Sequence, residues 1–165
     1  MLKVDLQRDL FVRTLLSPLH IFQTRANDLA NLMEDKFEME GTLQEIPPEP
    51  RLVINTTCYE TGKLFRIEQG RMGDYQLGYV RNPQMKISEA VAASAGFPVG
   101  IGPLEICPED HSWFAFENGG LNRPISPPEL ERIHLWDGGV YDNLGDEPLY
   151  NPGEGWREGC LTTYN

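Results

Sequence analysis

Long apolar runs are absent from this chain of 165 residues: no stretch approaches the roughly 18 apolar residues that a membrane-spanning helix needs. The opening residues Met1-Leu2-Lys3-Val4-Asp5 contain no hydrophobic segment of the kind a secretory signal carries, so a cytoplasmic location is expected, with at most peripheral membrane contact. Basic residues are scarce, 14 Lys and Arg against 25 Asp and Glu, for a formal net charge of −11. A surface of that sign repels phosphate backbones and anionic headgroups, which argues against nucleic acid as a partner and leaves lipid only a local apolar or basic patch. The three cysteines, Cys58, Cys107 and Cys160, form no C-x-x-C pair and read as free thiols of a reducing compartment. The three histidines, His20, His111 and His134, show neither H-x-x-x-H nor H-E-x-x-H spacing, so no metal site and no cofactor are expected.

What remains is the composition of an ordinary globular protein, 40% hydrophobic and 24% charged. The length suits one domain with a real core, or a large piece of a bigger one. Apolar residues Leu6, Leu10, Phe11 and Leu15 predict a helix over residues 4–16, closed by Ser17-Pro18. A second helix is predicted from Thr24, with Ala26, Leu29, Ala30, Met33 and Phe37 on one face. Arg25, Asn27, Asp28, Glu34 and Asp35 fall on its wet side. Residues 41–50 carry Pro47, Pro48 and Pro50 and form an extended connector, too short to separate domains.

Arg51 to Thr57 reads as an interior strand, and Leu64 to Ile67 as its hairpin return across a turn at Glu60-Thr61-Gly62-Lys63. Asn55 is expected to be a structural hydrogen-bonder. Residues 70–83 look like loop, Trp113 to Phe116 like a short strand, and residues 117–128, with Pro124, Pro127 and Pro128, like a long surface loop. Between them lies Ile87 to Pro98, a helix almost entirely of small side chains, with Ser88 as N-cap, Glu89 in its first turn and Gly96 at its end. Small residues contribute little apolar area, so their use must be to let other backbone come close.

A further strand, Arg132 to Trp136, runs into Asp137-Gly138-Gly139-Val140-Tyr141-Asp142-Asn143. A carboxylate at a strand end, followed by two residues without side chains, leaves backbone close to whatever the acid faces. A plain Asp-Gly turn is the simpler alternative. Ser94 in Ala92-Ala93-Ser94-Ala95-Gly96 offers an acyl-transfer chemistry, with Asp137 or His134 in support. A nucleophile elbow needs a strand before the serine and a helix after it, whereas Ser94 is predicted at a helix end.

Ala93-Ser94-Ala95-Gly96-Phe97-Pro98, followed at a distance by Asp137-Gly138-Gly139-Val140-Tyr141-Asp142-Asn143, resembles the motifs of the patatin-like phospholipase family. The hairpin around Leu52 to Phe65 and the loop Met72-Gly73-Asp74-Tyr75 resemble that family too, in the same order, so that the likeness runs from about Leu29 to Gly145. It implies an α/β fold, a partial three-layer domain with a central, mostly parallel sheet flanked by helices: residues 1–46 as its helical flank and 51–145 as its sheet part. It implies a lipid acyl hydrolase working through a Ser-Asp dyad, with Asp137 as the base and Ser94, Gly138 and Gly139 lining the pocket beside it. No G-x-S-x-G and no glycine-rich oxyanion loop occurs in these residues. The expectation is therefore a chain that carries the dyad aspartate without its serine, inactive alone, with a lipid or acyl-ester substrate in the full-length protein. A non-catalytic scaffold or binding relative is the alternative. Strands missing from such a sheet would leave an open edge and favour self-association.

Overall fold

The computed structural model describes residues 25–96, 101–117, 119–144, 150, 151, 155 and 156. The helix expected over residues 4–16 lies outside them. Helix α1 is Arg25–Phe37 and helix α2 is Ile87–Ser94. The strands are β1 (Ile54–Cys58), β2 (Lys63–Ile67), β3 (Arg71–Asp74), β4 (Gly78–Arg81), β5 (Leu104–Ile106), β6 (Trp113–Glu117), β7 (Gly120–Ile125) and β8 (Ile133–Asp137), with a small separate ribbon of β9 (Tyr150–Asn151) and β10 (Gly155–Trp156). Among the described residues no helix is long and apolar enough to cross a membrane.

The expectation of a mostly parallel sheet is corrected. The first eight strands form one sheet in the order β5-β8-β1-β2-β3-β4-β6-β7, every pairing is antiparallel, and the sheet curls into a half-barrel. The reason lies in the connections. Only a few residues separate β1 from β2, β2 from β3 and β3 from β4. A parallel pair needs a crossover of about a dozen residues or more, so chain this short can only double back.

Three of these strands, in two segments, fall where loops were expected. β3 and β4 occupy the segment read as loop after Gly70, and β7 occupies the one read as loop after Glu117. Both hide in the sequence because their strands are short, broken by glycine and outwardly charged. Within them the inward positions are apolar all the same: Met72 and Val80 face each other across β3 and β4 and are buried, with Val80 opposite Trp113 of β6. β7 tolerates Pro124 because it ends the row of eight strands, where a missing N–H breaks no inner ladder.

The core lies on one face of the sheet. Phe65, Ile67, Met72, Trp113, Ile133 and Leu135 are at most 1% exposed, and the Trp113 indole Nε1 donates to the Pro108 carbonyl at 2.9 Å. Helix α2 covers this face through Ala90 and Ala93. Its Ala92 packs on the other side with Leu29 and Ala30 of α1. The small side chains thus find their purpose: α2 is a middle layer, held between sheet and helix, where any larger residue would push one neighbour away.

Three details of the helices depart from expectation. Ser88 is fully buried inside α2 and Lys86 is the N-cap residue, its backbone N–H donating to the Glu89 carboxylate at 3.1 Å. Glu34 is turned toward α2 instead of lying on a wet side: it accepts from the Ser88 hydroxyl at 2.6 Å and from Lys86 Nζ at 3.1 Å. The apolar face of α1 includes buried Leu32, while Phe37 is 52% exposed.

Candidate functional site at the Asp-Gly-Gly turn

Strand β8 alternates as a half-buried strand should, with Ile133 and Leu135 facing the core. Asp137 ends it, opposite Thr56 of β1, and the Thr57 hydroxyl donates to the Asp137 carbonyl at 2.9 Å. The chain then turns into a short 3-10 helix, Gly138–Val140, for which Asp137 is the N-cap. Its Oδ1 accepts from the Gly139 N–H at 2.8 Å, the usual task of an aspartate at a helix start. Asp137 itself is half-buried.

Gly138 is required by space. A Cβ there would lie 2.5 Å from the Asn55 carbonyl oxygen, so any side chain would force β1 and the turn apart. Gly139 faces solvent and stays near the Asp137 carboxylate. The amide oxygen of Asn55 is buried beside this turn and has no hydrogen-bond partner among the described residues. Asn55 is expected from the sequence to be a structural hydrogen-bonder; among the described residues its amide oxygen has no such partner. A polar residue at the end of an apolar strand was the only signal for it.

The far end of α2 meets this turn directly. The Asp137 backbone N–H donates to the Gly96 carbonyl at 3.0 Å. Gly96 is buried, and a Cβ on it would come within 2.7 Å of the Gly102 carbonyl oxygen. The two motifs singled out in the sequence are thus tied backbone to backbone. Ser94 is the last residue of α2, half-buried, with Ala95 as the C-cap. It stands on a helix end and not on a strand-to-helix elbow.

His134 is committed elsewhere. Its Nδ1 is 2.5 Å from Glu60 Oε1, its backbone N–H donates to Glu60 Oε2 at 3.0 Å, and Nε2 is 3.9 Å from Glu105. Burial pushes the Glu60 carboxyl up, but hydrogen bonds from the His134 ring, the His134 backbone, its own backbone N–H and the Cys58 thiol outweigh it and hold it below 4.5. Cys58 is buried, Cys107 half-buried and both are free thiols, while Cys160 lies outside the described residues. Burial raises the Cys58 thiol above its ordinary value and so disfavours the thiolate. Among the described residues no group of His, Cys, Asp and Glu could hold a metal ion.

Chemically, the turn offers one carboxylate with a fixed oxygen, flanked by backbone that comes close because two glycines permit it. No known protein family, no curated protein and no solved structure matches the chain.

Proposed function

We propose that this chain is part of a lipid acyl hydrolase of the patatin-like kind, in which Asp137 takes the proton of a serine supplied from outside these 165 residues. The observation that supports the reading is the 3.0 Å hydrogen bond from the Asp137 N–H to the Gly96 carbonyl, which joins the Asp-Gly-Gly turn to the end of the small-residue helix. In acyl transfer the serine hydroxyl must lose its proton as it attacks the ester carbonyl, and a carboxylate accepts it well only when held in place and partly shielded from water. With Oδ1 held by Gly139, Oδ2 is the oxygen offered to the hydroxyl. Val140, Tyr141 and Leu144 follow immediately, 54%, 43% and 85% exposed, and give an acyl chain an apolar approach. Lacking the serine, residues 1–165 do not turn over esters at an enzymatic rate.

Reaction of the full-length gene product with a fluorophosphonate probe tests this. Labelling of a serine outside residues 1–165, slowed roughly 100-fold or more by Asp137→Asn, is the expected result. Labelling of Ser94, or labelling indifferent to Asp137→Asn, overturns it.

One observation favours the second reading, a non-catalytic scaffold or binding relative. Asp137 already has a structural task as the cap of the turn. On that reading no serine of the gene product is labelled, and Asp137→Asn leaves the binding of a lipid ester unchanged. Self-association through the end strands β5 or β7 belongs to either reading. A monomer by light scattering across a concentration series would count against it.

A further inference from the structure

The face of the sheet turned away from the core is unusual for a chain of net charge −11. The register places Arg66 of β2, Gly73 of β3, Tyr79 of β4 and Phe114 of β6 side by side in one row. Beside it, Arg71 of β3 lies directly opposite Arg81 of β4. Like charges directly opposite one another destabilise a sheet, so this pair is a cost that the fold must offset. Part of the offset is aromatic: Arg71 Cζ lies 5.5 Å from the Tyr79 ring centre and 5.8 Å from that of Phe116, and Arg81 Cζ is 3.6 Å from that of Phe114.

Beside this row an open cleft of about 570 Å³ lies at the β3-β4-β6-β7 end of the sheet, lined by Arg66, Arg71, Tyr79, Phe116 and Arg123 and reaching Ile125 at the margin of the core. Among the described residues no carboxylate-bearing one lines it, although acidic residues outnumber basic ones 25 to 14 in the chain. Gly73 leaves the strand between Arg66 and Tyr79 without a side chain. Arg71 and Arg123 meet Glu68 and Glu117 through Nε, at 3.4 and 2.5 Å, so that among the described residues their terminal nitrogens are the donors left for a ligand.

We propose that this cleft binds a small organic phosphate with a planar ring, of nucleotide size. Guanidinium groups meet phosphate oxygens in two-pronged hydrogen bonds, and rings stack on aromatic faces. The volume falls in the range of about 300–1,000 Å³ common to small-molecule sites. Net charge selects the size of the anion: an extended anionic surface meets the repulsion of the whole chain, whereas a small ligand in the cleft feels chiefly the charges within about 8 Å. The site shares no lining residue with the Asp-Gly-Gly turn and does not rest on the hydrolase reading.

Titration of the chain with ATP, inorganic phosphate and phosphatidylglycerol vesicles, followed by calorimetry and by NMR of the arginine side chains, tests the proposal. Saturable ATP binding is expected, weakened by salt, with inorganic phosphate bound at least tenfold more weakly. The exposed pair Arg123→Ala and Phe116→Ala separates the two halves of the site. The first weakens both ATP and phosphate about tenfold, and the second weakens ATP alone. An unchanged melting temperature for each variant shows that the fold is intact. Absence of ATP binding at millimolar concentration, equal affinity for inorganic phosphate, vesicle binding without ATP binding, or indifference to both substitutions overturns it.

Discussion

The backbone N–H of Asp137 reaches the carbonyl oxygen of Gly96 at 3.0 Å, closing a contact between the end of β8 and the end of α2. Three further features hold the same corner: the Thr57 hydroxyl on the Asp137 carbonyl, the Asp137 carboxylate on the Gly139 N–H, and the close approach of Gly138 to Asn55. The turn is therefore set by backbone and capping groups before any substrate arrives.

Gly138→Ala is expected to destabilise the protein by about 1–3 kcal/mol or more, because the added methyl must displace the backbone of β1. Asp137→Ala, which removes only the cap, costs about 1 kcal/mol. Urea unfolding of the two variants checks the order. A Gly138→Ala protein as stable as the parent would mean that the turn is not packed on Asn55.

Helix α2 is confined on two sides, so enlarging it is costly whichever side is chosen. Ala93→Leu, toward the sheet, and Ala92→Leu, toward α1, each lower stability by about 1–3 kcal/mol, seen as a reduced midpoint of thermal unfolding. The neighbouring exposed position Lys86 has no such limit, and Lys86→Ala costs much less because exposed ion pairs contribute little.

Acid weakens the fold in two windows. Burial holds His111 below its ordinary value of 6.5, so the folded state binds its proton less readily than the unfolded chain. The stability linked to it is complete above 6.5 and is lost as pH falls from there through the folded value. Glu60, also held below its ordinary value of 4.5, contributes stability that is complete above 4.5 and is lost as pH falls through its lower folded value. Urea midpoints measured across this range should fall in both windows. His111→Gln removes the upper slope and Glu60→Gln the lower one. A flat profile between neutrality and mild acid would rule out the His111 contribution.

Part of the fold is legible in the sequence. The hairpin of β1 and β2 follows from Val53, Ile54, Leu64 and Phe65 around a Gly62 turn, and β8 from Ile133 and Leu135 running to Asp137. The helix over Ile87–Ser94 and its stop near Gly96 were equally plain. β3, β4 and β7 escaped notice because strands of four to six residues with glycine, proline and outward arginine look like loop when only one face is apolar. Glu34 was placed on the wet side because helical period alone cannot see Ser88 on another helix.

By itself the sequence determined where α1, α2, β1, β2, β6 and β8 lie, the small-residue character of α2, and a carboxylate set before two glycines. Local spacing, turn residues and proline decide those matters within a few residues of chain. Tertiary structure alone decided that β1 pairs with β8 and β4 with β6, that Asp137 meets Gly96, that His134 belongs to Glu60, and that Arg66, Arg71 and Arg123 share one cleft. Those relations join residues far apart in the chain. They depend on which faces pack and in what register, and a one-residue slip in register turns every side chain of a strand to the other face.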